Sequence, residues 1–197
     1  MSAYIYIEGG DPNSDPIRCR KAFRKLLESA GLKGRMPRLV PCGPRNAAFD
    51  AFKTAHANRK SGDFIAMLVD SEDPADDHEQ PWTHLKKRDN WDRPGGAEDD
   101  QVLLMTTCME TWIVADREAL KRHYGHKLQE NALPSLNALE TRHRHELHAN
   151  LEHATRNCSN AYRKGKRSFE VLETLSAATL SQLPSFARLI RVLKSRL

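Results

Sequence analysis

Phe64-Ile65-Ala66-Met67-Leu68-Val69-Asp70-Ser71-Glu72-Asp73 is the stretch on which the fold turns. Its apolar half does not alternate, the pattern of a central parallel strand covered on both faces, and Asp63 opens it. Carboxylates follow at once, so an acidic group leaves the sheet at the strand's exit. Working outward, Ala3-Tyr4-Ile5-Tyr6-Ile7 is a second buried strand, ended by Glu8 and bounded by Gly9-Gly10. Between the two, Asp15-Pro16 starts a helix whose apolar face is Cys19, Phe23, Leu26, Leu27 and Ala30, closed by Gly31. Arg38-Leu39-Val40-Pro41-Cys42 is a short strand with a proline, and 46–59 is a helix presenting Ala48, Phe49, Phe52 and Ala55. Strand and helix alternate with short connections, which specifies a small Rossmann-like α/β parallel sheet flanked by helices.

Beyond the decisive strand, Pro74 to Asp100 shows no periodicity and is expected to be a long functional loop. Val102-Leu103-Leu104-Met105 is a further strand, leading into a helix through Met109, Trp112, Ile113 and Ala115. Helical segments are expected near 117–124, 138–155, 161–175 and 185–196. The chain therefore divides into an α/β core, residues 1–125, and a helical, basic C-terminal region, residues 126–197, packed on it.

Composition bounds the function. The 197 residues have a mean hydropathy of −0.67, and no apolar run approaches the roughly 20 residues that cross a bilayer. No basic, long-hydrophobic leader follows Met1, so a cytoplasmic location and no membrane partner are expected. Cys19, Cys42, Cys108 and Cys158 lie far apart without a Cys-x-x-Cys pair and are expected to be reduced and largely buried. The net charge of +5 is concentrated in residues 156–197, where nine Lys and Arg face two Glu. Such a surface attracts polyanions, which makes nucleic acid the partner to test.

Ligands of parallel sheets gather beyond the carboxyl ends of the strands, where Glu8 and the Asp70–Asp73 acids both fall. Acids converging there suit Mg²⁺ or Mn²⁺, which take oxygen ligands. Asp70 is the expected ligand, with Glu72 or Asp73 as its companion. An extended chain puts residues 70 and 72 on one side, whereas a turn after Ser71 brings Asp73 toward Asp70. Glu8 and Asp73 complete the expected metal set, and Gly9-Gly10 allow close backbone approach.

Arg18, Arg20 and Lys21 sit in the opening turns of the first helix, where cations oppose the helix dipole, and are candidate phosphate contacts. Lys164-Gly165-Lys166-Arg167-Ser168 lacks the Walker glycine at 160 and a preceding strand, so Lys164, Lys166 and Arg167 are expected at a nucleic-acid backbone instead. His145-Glu146-Leu147-His148 has the wrong spacing for a metalloprotease helix, and its histidines are read as structural or solvated. Trp82, Trp91 and Trp112 could stack on bases, though tryptophans in small domains are more often core anchors, and none is assigned a role.

Tyr6-Ile7-Glu8-Gly9-Gly10, Leu68 to Asp73, Asp99-Asp100-Gln101, Met109-Glu110-Thr111-Trp112 with Ala115-Asp116, and Lys164 to Phe169 occur in an order that resembles a bacterial Toprim-like family. That family includes RloB-like and AbiL-type second components, encoded beside AAA-type or SMC-like ATPases in phage-defence loci. The resemblance runs from about residue 4 to about residue 175. It implies Mg²⁺-dependent phosphodiester cleavage of DNA or RNA, with Glu8 as general base or acid and Asp70, with Glu72 or Asp73, at the metal. It also implies an ATPase partner, and a second copy of the chain is a further candidate partner. Here Asp70-Ser71-Glu72-Asp73 stands where Toprim domains show Asp-x-Asp. Glu110 matches a family motif and is a candidate accessory residue. The rival expectations are a degenerate scaffold that senses nucleic acid or a partner, and nucleotidyl or phosphoryl transfer at the same acids.

Overall fold

The computed structural model describes residues 2–10 and 15–197. Strands β1 (Ala3–Ile7), β2 (Arg38–Pro41), β3 (Phe64–Asp70) and β4 (Val102–Met105) form one parallel sheet in the order β2-β1-β3-β4. Every residue of β3 is buried, as its unbroken apolar run requires. Pro41 is tolerated because β2 is an edge strand, where one side of the ladder needs no donor.

Side-chain alternation splits the core in two. On one face Ile65, Met67, Val69, Val102 and Leu104 pack under α2 (Arg45–Ala57) and α3 (Pro81–Asp89) through Phe49, Phe52, Trp82 and Leu85. On the other, Ile5, Ile7, Ala66, Leu68, Leu103 and Met105 meet α1 (Pro16–Leu27) and α4 (Met109–Ala115). The same cluster continues without a break through α5 (Arg117–Tyr124), α6 (Arg144–Thr155), α7 (Lys166–Leu172), α8 (Ala177–Leu180) and α9 (Pro184–Arg196). Trp112 links the two halves of the chain, meeting Phe23 edge-on at 6.4 Å and Phe186 at 5.1 Å between ring centroids.

The expected long loop at 74–100 is corrected, because α3 occupies its middle. Pro81 is pre-set for a first helical turn, Trp82 and Leu85 bury one short face, and Asn90 ends the helix in a left-handed conformation. A single apolar pair at helical spacing gave too little periodicity to recognise. The helix expected over 138–155 starts only at Arg144, and α8 stands where 161–175 and 185–196 left a gap. All four cysteines are free thiols, and Cys19, Cys108 and Cys158 are buried. Among the described residues no helix is long and apolar enough to cross a membrane.

The arginines of α9 pair with acids of the segment on either side of α3. Arg188 donates to the carbonyls of Val102 and Asp99, both at 2.8 Å. Arg191 reaches Glu79 at 2.7 Å, and Arg196 holds Asp100 at 3.1 Å and also Glu98. Helix α9 thus clasps the segment that carries α3.

Candidate active site at the carboxyl ends of the sheet

Adjacent strands β1 and β3 deliver the acids side by side. The Glu8 amide donates to the Leu68 carbonyl at 2.9 Å, continuing the ladder one residue past β1. Its Oε2 then accepts the Asp70 amide at 2.9 Å, and Asp70 Oδ1 accepts the Met109 amide at 2.9 Å at the start of α4. Each carboxylate is fixed by the backbone of the next element. After Glu8 the chain turns through Gly9 and Gly10, with φ of 113° and 66°. A Cβ on Gly10 would lie 2.7 Å from Cys19 Cβ, so only glycine fits against α1.

Asp70 is 5% exposed. Burial, then the charges of Glu8 and Glu110, raise its pKa well above the usual carboxylate range. Burial also raises Glu8, opposed by Arg45, the Asp70 amide, Lys164 and Arg144. Perturbed carboxylates of this kind concentrate at functional sites. The acids line a cavity of about 290 Å³ together with Gly9, Glu110, Lys164 and Gly165.

The loop separates Glu72 from Asp73. The Glu72 amide donates to the Thr107 carbonyl at 2.7 Å, and Glu72 adopts a left-handed φ of 70°. Such a conformation in a residue other than glycine is a local cost that the surrounding structure must hold in place. One donor atom each from Glu8, Asp70 and Glu72 lie within 4.8 Å of one another. Asp73, expected among the metal ligands, is instead more than half exposed and pairs with Arg88 at 3.0 Å, outside that cluster.

Four cations frame the acids. Arg45, at the first turn of α2, donates to the Asp70 carbonyl at 2.6 Å, pairs with Asp89 at 2.6 Å and stands 4.0 Å from Glu8. Trp91 covers its guanidinium at 4.6 Å and stacks on Phe49, giving that tryptophan a role beyond core filling. Arg88 reaches Glu72 at 3.3 Å, and Arg144 pairs with the same carboxylate. Lys164 lines the cavity. Sequence reasoning passed over Arg45, Arg88 and Arg144. Arg45 carried the signal used for the first helix, a cation opposing the helix dipole, whereas Arg88 and Arg144 reach the site only through the packing of α3 and α6.

The other basic candidates whose side chains are described make their contacts elsewhere. Arg18 pairs with Glu170 at 3.2 Å, Lys21 with Glu173 at 2.9 Å, and Arg20 donates to the Leu39 carbonyl at 3.2 Å. These contacts hold α1 to α7 and β2. Arg167 donates to the Ala161 carbonyl at 2.6 Å. The Lys166 side chain lies outside the described residues.

Glu110 is fully buried. One of its oxygens accepts the Tyr162 hydroxyl, which also meets Ser168 Oγ at 2.8 Å. The other faces His148 Nε2 at 3.0 Å. Burial alone would raise this carboxyl, but His148, and after it Tyr162, outweigh that and hold it well below its ordinary value. His148 and Tyr162 were not singled out as site residues, because neither stands in a local pattern with Glu110.

Carboxylate oxygens at strand ends, with cations beside them, form a donor set that fits a hard divalent ion. Glu8, Asp70 and Glu72 are the residues that would hold it. No curated protein and no solved structure matches the chain. Residues 15–194, which leave out β1 with its acidic exit at one end and residues 195–197 at the other, match a family model, and the chain belongs to that family, Domain of unknown function (DUF4276).

Proposed function

We propose that this chain is a Mg²⁺- or Mn²⁺-dependent nuclease of the Toprim-like kind, cleaving DNA or RNA in anti-phage defence together with an ATPase partner. The observation that carries the reading is the meeting of Glu8, Asp70 and Glu72 at the ends of neighbouring parallel strands, with donor atoms within 4.8 Å. A divalent ion held there would supply Lewis-acid neutralisation of a phosphodiester. The protein's own groups do the rest. Asp70 is locked by the Met109 amide and Glu8 by the Asp70 amide, so neither needs to reorganise when substrate arrives. Lys164 and Arg45 place positive charge beside these acids, where a polyanion would otherwise be repelled. Glu8, raised by burial, is suited to exchange a proton with the attacking or leaving oxygen.

A second reading, a degenerate scaffold that binds nucleic acid or a partner, is favoured by the two arginines already occupying Glu72. Incubating wild type and Asp70→Asn with plasmid DNA and total RNA in Mg²⁺ or Mn²⁺, with and without an ATPase encoded alongside, separates the two. The nuclease reading expects metal-dependent cutting that Asp70→Asn loses. No cutting, together with no metal binding by wild type, would replace it with the scaffold.

A further inference from the structure

We infer that Cys108, Glu110 and His148 form a second site, adjoining the acidic cavity through Glu110, for a thiophilic divalent ion of the zinc class, which staples α4 to α6. One donor atom from each lies within 4.8 Å of the other two. A tetrahedral zinc ion with bonds of roughly 2.0–2.3 Å spaces its ligand atoms by roughly 3.3–3.8 Å, so small side-chain adjustments close the cluster. Cysteine and histidine donors select zinc-like ions and do not suit magnesium.

The polar inventory points the same way. Glu110 Oε2 and His148 Nε2 face each other at 3.0 Å, yet both are buried and neither has an aligned hydrogen-bond partner among the described residues. Buried groups left in this condition are uncommon and call for a ligand. Tyr162 occupies the other Glu110 oxygen and so aims Oε2 into the cluster, the outer-shell support that metal-binding carboxylates receive elsewhere.

Charge balance is also satisfied. A dication, a thiolate, a carboxylate and a neutral imidazole sum to zero, so the site would bury no net charge. Binding would release the Cys108 thiol proton to solvent. His148 keeps about a quarter of its side chain exposed, which offers an entry path. Among the described residues no fourth protein donor joins the three. The remaining position is therefore left to water or a small ligand.

Cys108 precedes α4, Glu110 lies in its first turn and His148 is on α6. The Met109 amide between Cys108 and Glu110 is the group that fixes Asp70. The ion would thus tie the C-terminal helices to the turn that holds Asp70. This assignment stands on residues other than Glu8 and Glu72 and does not depend on the nuclease reading.

Cobalt titration of chelator-stripped protein tests it. The expected result is a stoichiometric near-ultraviolet thiolate-to-cobalt band with visible tetrahedral transitions, reversed by Zn²⁺. Cys108→Ser should lose the thiolate band, His148→Ala should weaken cobalt binding, and Glu8→Gln should keep the full spectrum even if it loses cleavage. Zn²⁺ should raise the Tm of wild type and of Glu8→Gln but not of Cys108→Ser, each confirmed as folded by circular dichroism. Absence of a thiolate band in folded wild type, or its persistence in Cys108→Ser, would overturn the site. So would its loss in Glu8→Gln.

Discussion

Replacing Asp70 by Asn isolates the electrostatic cost of the acidic cluster. Two carboxylates at the cluster's outer limit of 4.8 Å repel by about 3.5 kcal/mol at an effective dielectric of about 20. Protonation in the native protein relieves part of this, and Asn retains an oxygen for the Met109 amide. The net gain expected for the metal-free protein is about 1–3 kcal/mol, the usual scale of stability given up at a functional site. For a chain of this size that is a rise in Tm of about 2–12 °C.

The sign of the pH dependence follows from the direction of the Asp70 shift. Its folded-state pKa lies above the ordinary value of 3.8, through burial first and then Glu8 and Glu110. Below the ordinary value both states hold the proton and the substitution changes little. As pH rises from there, the unfolded chain loses its proton while the folded one keeps it, so wild-type stability falls until the folded group ionises. The advantage of Asp70→Asn therefore grows from about pH 4 upward and then levels off. Thermal unfolding followed by circular dichroism in EDTA across that range measures it. Added Mn²⁺ should raise the Tm of wild type and leave Asp70→Asn nearly unmoved. A variant that melts at or below wild type at neutral pH in EDTA, or a difference that does not change with pH, would refute the argument.

Two further substitutions probe the surroundings. Arg144→Ala frees Glu72 from one of its two cations, so Mn²⁺ titration followed by electron paramagnetic resonance should show tighter binding by about 2–10-fold, while affinity for an oligonucleotide falls. A change of both affinities in the same direction would speak against this arrangement. Gly10→Ala combines a left-handed φ with a Cβ 2.7 Å from Cys19 Cβ, and urea unfolding should show a loss of about 1–3 kcal/mol; an unchanged midpoint would contradict the close packing of the β1 exit on α1.

The sheet and the two leading acids were legible because each is written locally. An unbroken apolar run and the acid that ends it occupy consecutive positions, as at Val69-Asp70 and Ile7-Glu8. Which of Glu72 and Asp73 lies beside Asp70 was not legible, since it rests on a left-handed turn that the Thr107 carbonyl holds from a loop more than thirty residues away. Helix α3 escaped because its buried face is only Pro81, Trp82 and Leu85. The arginines around Glu72, and His148 with Tyr162 around Glu110, come from helices whose approach depends on packing of distant segments. Charge arithmetic showed a basic C-terminal segment, but not that Arg188, Arg191 and Arg196 would turn inward to Glu79, Glu98 and Asp100.

That inward turn complicates any ionic-strength experiment. The pairs from Arg191 and Arg196 are largely solvent-facing and weaken as salt rises. They anchor the segment bearing α3, whose Arg88 and Asp89 grip Glu72 and Arg45. Salt therefore acts on the protein's own fastening as well as on any phosphate backbone it meets. A logarithmic salt slope measured for binding counts released counterions only over the salt range in which circular dichroism of the free protein shows this fastening intact.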